Sequence, residues 1–156
     1  MQLTQILYPD LIFPNLTSAK KIELIHELSG NIHQVVNNIE RKEITRSLLE
    51  REKLGSTGIG DGVAIPHGRL KGLNNVVGCF ARSISGIDFE SPDQKKSYLF
   101  LVILVPFCEK SEEHVKILSK AARIFKIESV RDDLLRAENR TEIMTALESA
   151  EQGLLV

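Results

Sequence analysis

The chain has 156 residues, 42% of them hydrophobic and 26% charged, with a formal net charge of −1. That length can bury a sizeable core in one domain. The near-neutral balance excludes the basic footprint that nucleic-acid binding requires. Cys79 and Cys108 form no CxxC and read as reduced thiols. The N-terminus has no basic start followed by an apolar run, and the longest apolar stretch, Tyr98 to Phe107, is too short for a bilayer. These features predict a cytoplasmic protein with one domain over residues 1–156, no membrane insertion and no nucleic-acid partner.

Leu11 to Leu16 is a short extended candidate broken by Pro14, after which Thr17 or Ser18 can cap a helix. Leu24, Ile25, Leu28, Ile32, Val35, Val36 and Ile39 fall within one arc at about 100° per residue, with an interruption expected at Gly30-Asn31. Asn37 or Asn38 can cap a second helix that runs to about Lys53 and stops at Gly55, its apolar stripe holding Ile44, Leu48 and Leu49. A glycine-rich segment follows, in which Val63-Ala64-Ile65 reads as a short strand leading into Pro66-His67. Val76 to Ser83 reads as a strand with Val77, Cys79 and Ala81 on one face. Ser97 to Val105 is a continuous β-rich apolar run, suited to the centre of a sheet covered on both faces, and Pro106 ends it. Ser111 then caps a helix with Glu112 and Glu113 at the positive end of its dipole and a buried stripe of Ile117, Leu118, Ala121, Ala122, Ile124 and Phe125. Shorter helical pieces are expected near Asp132 to Ala137 and Thr141 to Ser149. Strands alternating with helices in this way imply a layered α/β fold.

Chemistry concentrates between Leu49 and Arg69. His67 sits between a proline and a glycine, just after a glycine-rich run. Histidine is the side chain most easily made a nucleophile near neutral pH. His26 and His33 fall outside the apolar arc of their helix and read as surface histidines. His114 precedes Ile117 by three residues and Leu118 by four, which puts it at the N-terminal end of a buried stripe, looking over the edge of the Ser97–Val105 strand where α/β sheets bind ligands. A satisfied boundary histidine remains open there. Arg51 shares a stripe with Ile44 and Leu48, a setting in which arginine pairs with a carboxylate, binds an anion or snorkels to solvent. The glycines complete neither nucleotide motif. Ile65 stands where GxGxxG starting at Gly60 needs its last glycine, and Asp61 stands where a P-loop starting at Gly55 needs lysine. A donor-rich turn remains, whose N–H groups and Ser56 or Thr57 hydroxyl can approach an anion. His67, His114 and Asp61 lack metal-site spacing, so no metal is expected.

The stretch REKLGSTGIGDGVAIPHGR, Arg51 to Arg69, resembles the signature of the EIIA components of the bacterial phosphoenolpyruvate-dependent phosphotransferase system, of the fructose/mannitol type. The likeness extends through LVILVP (Leu101 to Pro106) and EEHVKILSKAA (Glu112 to Ala122), covers essentially the whole chain, and is greatest to the nitrogen-regulatory branch. The resemblance implies a three-layer α-β-α sandwich with a mixed central sheet of about five strands and helices on both faces. It implies that Nε2 of His67 accepts a phosphoryl group from a phosphohistidine on HPr or its nitrogen-branch paralogue NPr, that His114 is the second active-site histidine, and that Arg51 lies beside the site. His114, Arg51 and the turn at Ser56, Thr57 and Gly58 would then receive the phosphoryl oxygens. Transfer between two imidazoles needs no cofactor. The resemblance further suggests regulated targets such as potassium-transport or sensor-kinase components. Three other readings stay open: a sugar-transport EIIA that passes phosphate to an EIIB, a binding module with a vestigial site, and a metal-dependent hydrolase.

Overall fold

Ten consecutive residues from Ser97 to Pro106 present almost nothing polar. In the computed structural model, which describes residues 1–108 and 111–155, they form the strand to which most of the sheet attaches. The elements in chain order are α1 (Leu3–Ile6), β1 (Leu7–Phe13), α2 (Lys21–Val35), α3 (Arg41–Lys53), β2 (Gly58–Gly60), β3 (Val63–Ala64), β4 (His67–Leu70), β5 (Val77–Ile87), β6 (Ser97–Pro106), α4 (Ser111–Phe125), α5 (Glu128–Arg136) and α6 (Arg140–Leu155). The sheet is mixed: β1 runs parallel to β5, β5 antiparallel to β6, and β3 and β4 both run parallel to β6. β2 closes the edge as an antiparallel partner of β3.

Side chains alternate across the sheet and divide the core in two. Phe80, Leu99, Leu101, Ile103 and Val105 pack with α4, α5 and α6, while Val77, Cys79, Ala81, Phe100, Val102 and Leu104 pack against α2 and α3. This is the expected three-layer sandwich, with six strands in place of about five, because β3 and β4 lie end to end along one side of β6. The break between them falls at Ile65-Pro66. Proline offers no N–H, but its carbonyl accepts from the N–H of Ile103 at 3.0 Å, so β6 stays paired across the break. No helix among the described residues is long and apolar enough to cross a membrane.

Several local expectations change. Thr17 and Ser18 do not cap α2, whose N-cap is Lys20. Their N–H groups and hydroxyls instead converge on the carboxylate of Glu27, one turn or more into the helix. Gly30 does not interrupt α2; the Arg41 guanidinium lies over it, 3.0 Å from where a Cβ would stand, and donates to the carbonyl of His26. Asn38 is spent on the carbonyl of Gly72 at 3.1 Å, and α3 starts only at Arg41 with Glu40 as N-cap. His26 is exposed as expected, but His33 is half-buried and donates from Nδ1 to the carbonyl of Ile39. The Ser111 side chain lies outside the described residues, so its capping role does too. The two last helices start earlier, and the final one runs longer, than their apolar stripes suggested.

Two buried polar anchors fasten the helical layer over α5 and α6. Arg82, 5% exposed, donates to the carbonyls of Pro14, Leu134 and Leu135 at 3.0, 2.9 and 3.3 Å, and to that of Ala137. Its charge sits at the negative end of α5. Glu151 of α6 accepts from the N–H groups of Leu3 and Thr4 at the start of α1, and from the Thr4 hydroxyl at 2.7 Å.

On the other face, α3 lies directly against β4. A Cβ at Gly68 would stand 2.1 Å from the hydroxyl of Ser47 and 3.2 Å from its Cβ, and that hydroxyl donates to the carbonyl of Arg69 at 2.9 Å. Glycine at 68 therefore sets how near α3 comes to the strand that carries His67. Gly68→Ala is expected to destabilise the fold by about 1–3 kcal/mol through overpacking. Adding Ser47→Gly should recover part of that loss in urea unfolding, and an unchanged midpoint in the single variant would contradict the assignment.

Candidate functional site

His67 is the first residue of β4, immediately beyond the break at Pro66. There its ring leaves the sheet toward the ends of α3 and α4. The Nδ1 atom lies 2.8 Å from the carbonyl of Ile65, two residues earlier. A carbonyl only accepts, so Nδ1 carries the proton. On the other side of the ring, Nε–H of Arg51 donates to Nε2 at 3.1 Å, and an atom that accepts there carries a lone pair. The two contacts select the same tautomer: proton on Nδ1, lone pair on Nε2.

Arg51 reaches this point because α3 ends within one turn of it. The N–H of Leu54 donates to the carbonyl of Arg51, and that of Gly55 to the carbonyl of Glu52. Gly55 follows at φ +143°, a backbone state that L side chains rarely adopt. Its carbonyl turns back and accepts from Nη1 of Arg51 at 2.8 Å. The guanidinium is thus held by one carbonyl while its Nε–H points at the imidazole.

His114 arrives from the first turn of α4. Its ring meets that of His67 edge to face, with centroids 5.3 Å apart and planes at 75°. The Nε2 atom of His114 is buried and has no hydrogen-bond partner among the described residues. A buried polar nitrogen left unpaired in a charged setting is costly, and it marks a place where a ligand atom can bond.

Burial lowers the pKa of His67 below the ordinary imidazole value of 6.5; the Ile65 hydrogen bond and the charge of Glu52 oppose that shift, and the charge of Arg51 reinforces it. Burial also lowers the pKa of His114, assisted by the charges of His67, Arg69 and Arg51. Both rings are therefore neutral near pH 7.

Ser56 and Thr57 line an open depression of about 290 Å³ with Arg51, His67, Ile59 and Ile65. Their polar groups already have partners. The Ser56 hydroxyl donates to the carbonyl of Phe89 at 2.5 Å and accepts from the N–H of Gly58 at 3.0 Å. The N–H and hydroxyl of Thr57 both donate to Glu52. The glycine segment is also more ordered than a flexible turn, because Gly58–Gly60 pairs with Val63–Ala64 as a hairpin. Asp61 lies at the tip of that hairpin, where its N–H donates to Asp93 at 3.0 Å. Among the described residues no group of three or more His, Cys, Asp or Glu could hold a metal ion. Reading the residues by type passed over two groups near the site, Glu52 and Arg69, the latter facing His114 electrostatically. Both stand inside the Arg51–Arg69 stretch, and that position was the only signal for them.

The family model for the phosphoenolpyruvate-dependent sugar phosphotransferase system, EIIA 2, matches residues 5–150. A nitrogen regulatory protein of Bradyrhizobium diazoefficiens is 34% identical over 147 residues, 94% of this chain and 95% of the relative. A fructose-specific EIIA component of Haloferax volcanii is 36% identical over 134 residues, 86% and 84% of the two chains. Among solved structures, the nitrogen regulatory protein IIA-Ntr from Neisseria meningitidis superposes with a TM-score of 0.86 at 33% identity, covering 93% of this chain and 98% of that one.

The lowered pKa values carry a sign. Between the folded-state value and 6.5 the unfolded chain binds more protons than the folded one, so stability rises with pH through that window and is lost as pH falls below 6.5. We expect the His67 and His114 ring resonances to titrate with midpoints below 6.5 in NMR. A midpoint at or above 6.5 for either would contradict the burial described.

Proposed function

The chain belongs to the phosphoenolpyruvate-dependent sugar phosphotransferase system EIIA 2 family, and we propose that within it residues 1–156 act as a single domain and a cytoplasmic histidine phosphocarrier of the nitrogen-related branch. The observation that carries this reading is the imidazole of His67, with its Nδ1 proton given to Ile65, its Nε2 lone pair held by Arg51 at the edge of an open depression, and the ring of His114, whose Nε2 has no partner among the described residues, packed against it. The relatives that are nitrogen regulatory proteins match almost end to end, which favours the regulatory branch.

In the proposed reaction, phosphohistidine on HPr or NPr presents its phosphoryl group in line with Nε2 of His67. The donor P–N bond breaks and a P–Nε2 bond forms, while the proton stays on Nδ1, donated to the Ile65 carbonyl throughout. The donor imidazole leaves neutral, and the charge of the protonated phosphoimidazole passes to His67. Arg51 gives up its contact with Nε2 and turns its N–H groups to the phosphoryl oxygens, a charge-assisted contact stronger than the one it loses. Nε2 of His114 takes a further oxygen once its ring is protonated or flips its tautomer. Ser56 and Gly58 reach the phosphoryl group by exchanging their present partners, while Thr57 stays on Glu52 and borders the depression that receives it. Arg51 and His114 stabilise charge on the transferring group without a metal or nucleotide. The phosphorylation state would then govern binding to regulated proteins such as potassium-transport or sensor-kinase components.

A second reading has its own support in the fructose-specific relative: transport, in which phosphate passes on to an EIIB and then to sugar. Transfer from the phosphorylated protein to a candidate EIIB, followed with labelled phosphate, separates the two.

His67→Ala is expected to abolish labelling by phosphorylated HPr or NPr; a variant that still labels at the parent rate would overturn the assignment. His114→Ala should retain carrier binding while the transfer rate falls about 10²-fold, the usual loss when one charge-stabilising donor is removed. Arg51→Ala should slow transfer or shorten the lifetime of the phosphoprotein, measured by acid-quenched single-turnover kinetics.

A further inference from the structure

Glu52 follows Arg51 in the chain and makes no hydrogen bond to the His67 ring. Its side chain is 6% exposed, and Thr57 bonds both of its carboxylate oxygens. The N–H of Thr57 donates to them at 3.0 and 3.1 Å, and the Thr57 hydroxyl donates to the same group. The ammonium of Lys21, itself over the ring of Phe89 at 4.6 Å, stands 3.9 Å from Oε2. A desolvated carboxylate is a costly way to close a five-residue turn, since a neutral hydroxyl closes such turns at less desolvation cost. The return on that cost lies in what Thr57 holds.

The carbonyl of Thr57 accepts the N–H of Ile65 at 3.0 Å, and the carbonyl of Ile65 accepts Nδ1–H of His67 at 2.8 Å. A path of three links therefore runs from the Glu52 carboxylate to the imidazole. A second path runs through the backbone: the carbonyl of Glu52 accepts from Gly55, whose own carbonyl holds Nη1 of Arg51. Both partners of the His67 ring, the Ile65 carbonyl and the Arg51 guanidinium, refer back to the same residue. Rigid support of this kind decides whether a reacting atom is aimed to within a fraction of an ångström.

We infer that Glu52 is a positioning residue for phosphoryl transfer, which through Thr57 fixes the Ile65 carbonyl and so the tautomer and aim of the His67 ring. The inference rests on the reading of His67 as acceptor. Its charge also acts on the imidazole directly, in the direction opposite to burial.

The test uses the full-length protein with Glu52→Gln, Thr57→Val and Thr57→Ser, read by long-range proton–nitrogen NMR of the imidazole rings and by single-turnover transfer from phosphorylated HPr. Glu52→Gln should bind the phosphocarrier as the parent does, show His67 as a mixture of Nδ1–H and Nε2–H forms, and transfer about 10- to 100-fold more slowly. Thr57→Ser keeps both donors and should keep the parent's Nδ1–H tautomer of His67, whereas Thr57→Val should shift the tautomer part-way. A pure Nδ1–H tautomer in Glu52→Gln overturns the inference, whatever happens to the rate. If Glu52→Gln does not fold, the Thr57 pair decides: a tautomer shift in the valine variant alone supports the inference, and no shift overturns it. A parent protein that accepts no phosphoryl group would overturn the function proposed above, while the tautomer comparison would still decide what Glu52 does to the ring.

Discussion

The hydrogen bond from Nδ1 of His67 to the carbonyl of Ile65 is the contact on which the site depends. It connects two residues separated only by Pro66, so it is local, and it forms at the break between β3 and β4. The backbone of Ile65 faces away from β6, its N–H going to the carbonyl of Thr57, and its own carbonyl is left to the imidazole. Proline makes the break tolerable, because it has no N–H to leave unpaired, and the Pro66 carbonyl still serves β6.

The rest of the architecture supplies what that contact lacks. β6 is covered on both faces, so the strand beside the histidine does not move with solvent. One helical layer delivers Arg51 from the end of α3, and the opposite layer delivers His114 from the start of α4. The site is therefore assembled across the sheet edge from both outer layers, and its geometry reports on the docking of each. The bare approach of α3 to Gly68 and the placing of the first turn of α4 against β4 are as much a part of the site as the rings themselves.

Much of this was legible in the chain, and the exceptions have physical causes. β6 and α4 follow from long, unambiguous apolar patterns, and Arg51, His67 and His114 stand out by residue type and setting. β2 was not visible, because Gly58-Ile59-Gly60 has no alternation and pairs only through backbone. The helix starts depart from the capping pattern wherever a short polar side chain has a tertiary partner to prefer over a cap: Thr17 and Ser18 choose Glu27, and Asn38 chooses Gly72. Glu52 and Thr57 could not be paired from the sequence, since their contact depends on how the chain folds back after α3, which a run of glycines leaves undetermined. The turn hydroxyls look like open donors in the sequence for the same reason, since their partners, the Phe89 carbonyl and Glu52, are brought to them only by the fold.

Arg82 has a consequence for how the molecule opens. Its guanidinium cannot be neutralised by losing a proton at any physiological pH, and its donors are met by carbonyls from the end of α5 and from Pro14. Were α5 to lift away alone, a bare cation would be stranded in the sheet with most of its acceptors gone. Partial detachment of that helix is thereby made expensive, and its nine residues, too few to persist as an isolated helix, are bound to the fate of β5. Through Arg82, α5 and the sheet are tied into one cooperative block, so that α5 is expected to open only when β5 does.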